Sequence, residues 1–462
     1  MRGCWWLPDR RTRRRCRKAR PDERAIQRGR VGLAATNQVR LRPGLVAQQR
    51  ESLSYDRAGS RLVFGMIAPE SEDGFVQAIT TAAANRVPLA LEGFGSKSGF
   101  LRPVQATETL STRNFVGTPL YAPTELVITS RAGTRLSDLE ARLAEAGQHL
   151  AAEPPSYGFL NDADDATPAQ SVGGIVACNL SGPRRIASGA IRDHVLGIRV
   201  ITGTGTKIRS GGRVLKNVTG LDLCKLITGS YGTLGLITEV TLKVLPIPEA
   251  TSTIVLHDLD AARGIAAMTT ALTSPFSVTG ATFLPLEAVN CLGFHSTATL
   301  IRVEHYAEFV GYQIGKLRSL LNEYGASDVI DTTESRKVWT EIRNARPLVV
   351  PSHFAVWRVS IPPSRGAKFY MECQKAALHG YLDWGGGLAF LSGPGNLETH
   401  LAVMELASAA DGVWWLLRAP DSLRELVTTI PREDHPLAAI RRRLVQEFDP
   451  AGILNPGKMH SV

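Results

Sequence analysis

Hydrophobic periodicity begins near Phe64, and from Met66 onward helical and strand periods alternate. The spacing predicts a helix over 71–86. A short strand follows at 87–92 and runs into a glycine-rich turn. A strand is predicted at 126–129 and an amphipathic helix at 134–147, closed by Gly147 as a natural C-cap. Strands follow at 195–202 and 206–210, then a helix near 221–228 and a strand at 236–244 that stops at Pro246 and Pro248. Beyond the two prolines the texture changes. Helices are predicted near 259–273, 307–323 and 366–379, with strands near 299–304 and at 354–361, an α+β unit on an antiparallel sheet. A last helix ends at Phe448-Asp449-Pro450. The pattern divides the chain into a head at 1–65, a first domain at 66–246, a second at 247–433, and a C-terminal segment at 434–462.

Composition changes this picture little until charge is located. The chain has 462 residues, 44% hydrophobic and 21% charged, with a formal net charge of +10. That is globular composition for two or three domains. Residues 1–65 hold seventeen Arg/Lys against five Asp/Glu, +12, so the remainder sums to −2. The basic character belongs to the head, where the run from Arg10 to Arg20 has no apolar stretch after it and does not read as a secretory signal. It is expected to be a disordered extension; a nucleic-acid or membrane-surface arm is the other reading of such a run. No window has the eighteen uncharged apolar residues of a membrane span. The six cysteines (Cys4, Cys16, Cys178, Cys224, Cys291, Cys373) form no C-x-x-C pair, so no zinc ribbon or iron–sulfur motif is written, and their scatter fits a reducing compartment.

Three glycine-rich stretches carry the candidate chemistry. Gly93-Phe94-Gly95-Ser96-Lys97-Ser98-Gly99 follows a strand, where successive backbone N–H groups make an anion-binding concavity and Lys97 adds a point charge suited to pyrophosphate. It matches neither the Walker A order nor G-x-G-x-x-G. The second stretch, Ser171-Val-Gly173-Gly174-Ile-Val-Ala177, leads to Gly182-Pro-Arg184-Arg185. Paired glycines before an apolar run suit a helix start pressed against something flat or anionic, and the arginines suit phosphate or carboxylate. The third is Gly229-Ser-Tyr-Gly-Thr-Leu-Gly235, entering a buried strand. Alone, each reads as a tight turn or a surface Arg pair.

Taken in order with Gly189-x-x-x-Asp193-x-Val-Leu-Gly197, Gly235-x-Ile237-Thr238-Glu239 and the closing Phe448-Asp-Pro-Ala-Gly-Ile-Leu-Asn455-Pro-Gly457-Lys458, they resemble the FAD-binding domain of the vanillyl-alcohol oxidase and p-cresol methylhydroxylase superfamily. Glu153-Pro-Pro155, Gly182-Pro-Arg-Arg185, Lys216-Asn217-Val-x-Gly220 and Asp383-Trp-Gly-Gly386 are similar to the FAD-binding subunits of glycolate oxidase. The resemblance covers nearly all of 66–462. It implies an α+β fold with a two-subdomain FAD-binding domain and an α+β cap, and an FAD-dependent oxidoreductase acting on glycolate. It implies as partners a catalytic FAD subunit and an iron–sulfur subunit, with no nucleic acid. It places the protein in the cytoplasm, peripherally at the inner face of the plasma membrane through the complex.

Residue by residue, it implies that Gly93, Phe94, Gly95, Ser96, Lys97 and Ser98 wrap the FAD pyrophosphate. Ser171, Gly173, Gly174, Ala177 and Gly189 would line the cofactor, Ile237 would meet the adenine, and Asn455 and Lys458 would return to the flavin. Arg184, Arg185, Asp193 and Glu239 belong to the same motifs. The first loop holds no His, which implies non-covalent FAD. One departure stands out. Catalytic relatives carry H-x-G-D-G-N-x-H in the cap, whereas no two of the ten histidines here are spaced as a ligand pair. Ala409-Ala410-Asp411-Gly412 also stands where relatives have Ala-Gly-Gly-His. The substrate-oxidising site is thereby implied to lie in a sister subunit. A stand-alone 2-hydroxy-acid dehydrogenase and a non-catalytic assembly subunit are the alternatives. The cap candidate is Arg358, which with Ser360 falls on the strand face opposite Trp357 and Val359, where it could hold a carboxylate or face the flavin.

Overall fold

The computed structural model describes residues 65–158, 169–213, 221–348 and 350–460. The expectations for the basic head up to residue 64 and for Lys216 to Gly220 fall outside these residues.

The first helix, Glu72–Asn85, forms because Ser71 caps it by accepting from Gly74 N at 3.1 Å, two acids occupy its first turn, and Arg86 ends it in the left-handed region. Phe75, Ile79 and Ala82, at helical spacing, are its buried face. That face packs a three-stranded parallel sheet of Met66–Ile67, Glu108–Ser111 and Leu89–Glu92, with the second in the centre. Beside it lies a five-stranded antiparallel sheet in the order Leu120–Ala122, Val127–Arg131, Leu236–Lys243, Val195–Ile201, Lys207–Gly211. Helix Leu136–Glu145 covers it with Leu136, Leu139 and Leu143.

The strand predicted to stop at Pro246 ends at Lys243. Leu245–Pro246 then pairs with Gln148–His149 as a two-stranded ribbon, an edge place where a missing N–H is tolerated. From Ala250 a new sheet starts, eight antiparallel strands in the order Ser327–Ile330, Ala250–His257, Ala298–His305, Val278–Leu284, His379–Asp383, Leu388–Pro394, Phe354–Ser360, Val413–Arg418. One face is buried under helices Ala261–Leu272, Ala307–Leu320, Gly366–Lys375 and Leu397–Ala409. The other carries Val356, Tyr381, Leu388 and Phe390, which pack against Phe100, Leu101 and Tyr157 from the first half of the chain. The C-terminal segment closes the structure onto the first half. Leu89 N donates to Ile453 O at 2.8 Å and Asn455 N to Leu89 O at 3.0 Å. Among the described residues no helix is long and apolar enough to cross a membrane.

Candidate cofactor site

The loop after strand Leu89–Glu92 is shaped from two sides. Gly93 lies so close to the second glycine stretch that a Cβ on it would sit 2.1 Å from Ser171 Oγ. Gly95 takes φ +77°, which favours glycine. Ser98 N donates to Gly95 O at 3.0 Å and Phe100 N to Lys97 O at 3.1 Å. Two buried cations collect carbonyls at the end of the loop and just beyond it. Lys458 Nζ donates to Phe100 O at 2.6 Å and Ser98 O at 3.2 Å, while Arg424 Nε donates to Leu101 O at 2.6 Å and its Nη2 to Ser98 O at 3.1 Å. The amides of Phe94, Gly95, Ser96 and Lys97 donate to no acceptor among the described residues. Such a run of amides is a nest for an anion.

Lys97 completes it. Its Nζ donates to Gln170 Oε1 at 2.7 Å and Ser96 Oγ at 3.0 Å, and no carboxylate among the described residues pairs with it. Burial strips water from the ammonium and pulls its pKa down to about 8. A desolvated lysine without a counter-ion beside free amides is a site that wants phosphate.

Helix Val172–Ala177 starts at Ser171, whose Oγ accepts from Gly174 N at 3.1 Å. Gly173 and Gly174 are glycines for space. A Cβ on Gly173 would meet the Ala132 methyl at 2.7 Å, and one on Gly174 would lie 3.0 Å from Ser171 Oγ and 3.9 Å from Lys97 Nζ. The third stretch docks on the end of this helix, through Gly229 N to Val176 O at 3.1 Å and Tyr231 N to Ala177 O at 2.9 Å. Asn455 then ties three segments together, its Oδ1 accepting from Leu91 N and its Nδ2 donating to Tyr231 O, both at 2.7 Å. Loop 93–99, helix 172–177, loop 229–235 and the tail thus converge on one place.

Other residues singled out in the sequence sit elsewhere or are engaged locally. Gly189 has φ +84°, which brings it against Asp193, and Asp193 accepts from Ala190 N at 2.9 Å as the cap of a single turn. Ile237 is buried opposite Val200 at an irregularity in the ladder. Glu239 pairs with Arg199 at 3.2 Å. Arg184 and Arg185 diverge. The bidentate carboxylate that suits Arg184 is supplied by the chain itself: Nε and Nη2 meet Glu304 at 2.8 and 2.9 Å, and Nη2 lies 3.2 Å from Glu153. Its guanidinium is spent between two carboxylates and is not left for a ligand. Arg185 instead stacks on Trp384 at 4.4 Å.

Arg358 lies over the rings of Trp384 at 4.9 Å and Trp415 at 5.3 Å, and Asp383 is the carboxylate whose charge acts on it, without an ion pair among the described residues. Burial lowers its pKa, offset in part by Tyr157 and Tyr231 nearby. Asp383-Trp-Gly-Gly386 explains how Trp384 is presented. Asp383 Oδ1 accepts from Trp384 N at 2.7 Å, Trp384 Nε1 donates to Gly182 O at 3.2 Å, and residues 384–386 all take positive φ. Burial pushes the Asp383 carboxyl up to about 7. Among the described residues, no group of three or more His, Cys, Asp or Glu is placed to hold a metal ion. Arg424 and Tyr157 carry no signal in the sequence that marks them; Gln170 stands next to the Ser171 stretch and Tyr231 lies within the third glycine stretch, but nothing there singles out either.

Fold and loop geometry define an FAD-binding protein. The FAD binding domain family matches residues 65–211. The chain is 33% identical over 393 residues to glycolate oxidase subunit GlcE of Escherichia coli (strain K12), covering 84% of this chain and 96% of that protein. It is 27% identical to glycolate oxidase subunit GlcD of Bacillus subtilis (strain 168), over 58% of this chain and 52% of that one. In fold it is similar to 4-ethylphenol oxidase from Gulosibacter chungangensis, with a TM-score of 0.64 at 13% identity, over 86% of this chain and 89% of that one. The chain therefore belongs to the family of FAD-linked oxidoreductases that contains glycolate oxidase subunit GlcE. Its residues fit that cofactor: a desolvated lysine with no carboxylate partner and four amides with no acceptor among the described residues, and Gly93 and Gly174, where a Cβ would crowd Ser171 and approach Lys97.

Proposed function

We propose that this chain is the electron-transferring FAD subunit of a complex that oxidises glycolate to glyoxylate, and that it works beside a catalytic FAD subunit and an iron–sulfur subunit, held peripherally at the inner face of the membrane. The observation that carries the reading is Lys97, desolvated and with Gln170 and Ser96 as its hydrogen-bond partners among the described residues, beside the loop 93–99 amides. The cofactor portion is 66–246, the cap 247–433, and 434–462 the segment that returns to the cofactor portion. FAD, when bound, supplies the capacity to accept and pass on electrons.

The chain's own residues do the rest. Phe94 to Lys97 and the Lys97 ammonium would hold the pyrophosphate, with Ser171 and Gly174 beside it and Gly173 letting helix Val172–Ala177 close on Ala132. Asn455 and Lys458 act as positioning residues that fix the strand before the loop and the loop's carbonyls. Arg358 and Arg185, on Trp384, present positive charge toward the cap side of the site, where Arg358 would hold a carboxylate or offset negative charge on the flavin. Binding is non-covalent, since loop 93–99 offers no His. The scattered histidines support the electron-transfer reading over independent substrate oxidation.

The test is to purify the chain and record its visible spectrum before and after anaerobic glycolate. A yellow protein that stays oxidised until its partner subunits are added supports the proposal. Bleaching by glycolate alone would give this chain its own substrate site and overturn the division of labour. Colourless protein that takes up no added FAD would overturn the cofactor reading.

Lys97 allows a sharper check. In the empty site its pKa is about 8, and a bound pyrophosphate would raise it, so above pH 8 binding must take up a proton. FAD affinity is therefore expected to fall as pH rises past about 8. Lys97→Met should weaken binding about tenfold or more, the scale of one hydrogen bond to a charged group, and flatten the dependence. Calorimetric titration of apoprotein at pH 7 and 9 reads both; an unchanged slope in the variant would remove Lys97 from the site.

A further inference from the structure

A second cavity, of about 340 Å³, opens between helix Leu136–Glu145, the ribbon at Gln148–His149 and helix Thr332–Arg343, and shares no lining residue with the gap at Lys97. Its wall includes Glu153, Arg184, Arg302 and Glu304, two carboxylates and two guanidiniums that neutralise each other. What remains is unbalanced. Arg336 and Arg343 face one carboxylate, Glu140. Arg336 donates to Pro248 O at 2.9 Å. Arg343 Nη1 is 3.9 Å from Glu140 Oε1, too far for a hydrogen bond, and its buried Nε has no partner among the described residues. Burial, aided by Arg184, pulls the His149 imidazole down to about 4, so it stays neutral.

The Nη groups of Arg343 have no acceptor within hydrogen-bond distance among the described residues, and two guanidiniums against one carboxylate leave this part of the wall cationic. The space holds about a dozen water-sized groups, more than one ordered water would fill. Ala144, Ile247 and Pro248 give it an apolar side. We propose that this cavity binds a small organic oxyanion, with a carboxylate or phosphate head on Arg343 and a short body along Ala144, Ile247 and Pro248. The ligand would touch the helix before the ribbon and the helix of the eight-stranded sheet's layer together. Occupancy would then stabilise their packing. The proposal does not rest on the flavin reading.

The experiment is thermal unfolding of the full chain with its flavin, titrated with malonate or glycerol 3-phosphate at constant ionic strength, with chloride as the control. A saturable rise in Tm of about 2 °C is expected with at least one. Malonate alone would assign a carboxylate head, glycerol 3-phosphate alone a phosphate head. Arg343→Gln should abolish the rise while the flavin absorbance stays the same. Ala144→Leu, at an exposed helical position on the cavity wall, should blunt it if Arg343→Gln does not fold. No saturable shift with either probe, or a shift unchanged in both variants, overturns the proposal.

Discussion

Gly93→Ala is expected to yield a folded protein that no longer retains FAD, and Ser171→Gly is expected to restore binding in the same background. The new methyl would lie 2.1 Å from Ser171 Oγ and 2.6 Å from Ser171 Cβ, distances that no rotamer change of the serine hydroxyl relieves. Either loop 93–99 or the start of helix Val172–Ala177 must move, and both belong to the proposed cradle. Overpacking of this kind costs about 1–3 kcal/mol, which the cofactor can recover only by releasing contacts, so its affinity should drop about tenfold or more. Ser171→Gly removes Oγ and Cβ together and gives up only the N-cap, a change worth a few tenths of a kcal/mol when glycine replaces serine. FAD content of the purified variants and the affinity of their apoproteins check this. If Gly93→Ala binds FAD as tightly as the parent, the two loops do not form the cofactor cradle. If the double variant stays empty, the clash with Ser171 is not the reason.

That interplay of two loops also shows what could be read from the chain. Loop 93–99, the Ser171 stretch and the Asn455–Lys458 tail are short motifs whose glycines have local reasons, so they were visible one by one. The α+β class and the antiparallel sheet beyond Pro248 were legible from periodicity. Strands Ala250–His257 and Val278–Leu284 were not, because the eight-stranded sheet is covered on both faces and their residues lack alternation. Arg424 was invisible for a different reason. It reaches the carbonyls of residues 98, 100 and 101 from more than 320 positions away, and nothing in its own helix marks it. Arg184 shows a third kind of limit. Its chemistry was readable as bidentate carboxylate binding, but sequence cannot say whose carboxylate.

The answer, Glu304, makes Arg184 half of a crossed clamp whose disruption is expected to be strongly destabilising. Arg302 binds Glu153 through Nη1 and Nη2, both at 2.9 Å, while Arg184 binds Glu304 at 2.8 and 2.9 Å. Each pair thus joins a residue before Pro246 to a strand of the eight-stranded sheet. Thr279 Oγ1 donates to Glu304 Oε2 at 2.7 Å, Arg184 N to Glu153 Oε2 at 2.7 Å, and Arg302 stacks on Trp339 at 4.5 Å. Arg302→Met would leave Glu153 buried beside Arg184 alone and should cost about 3–5 kcal/mol, the range for removing one partner of a buried pair. Adding Glu153→Gln should recover part of that loss, since the orphaned charge disappears while Arg184 and Glu304 remain paired. The clamp also sets an acid limit. Burial alone would raise both carboxyls, but Arg302 and Arg184 more than offset it and hold Glu153 and Glu304 below the usual carboxylate range. Their contribution is complete above about pH 4.5 and is lost as pH falls toward the folded pKa values. His149, pushed down to about 4, adds a loss that begins higher: the unfolded chain takes a proton near 6.5 while the folded chain does not, so stability declines from about pH 6.5 to 4. Glu304→Gln should therefore unfold at lower urea than the parent at pH 7.5 yet lose less on going to pH 4. His149→Gln should flatten the stretch between pH 6.5 and 4 only. Urea midpoints at pH 7.5, 5.5 and 4 separate these outcomes. A Glu304→Gln variant as stable as the parent at pH 7.5, with the same acid limb, would mean that the clamp is a contact without energetic weight.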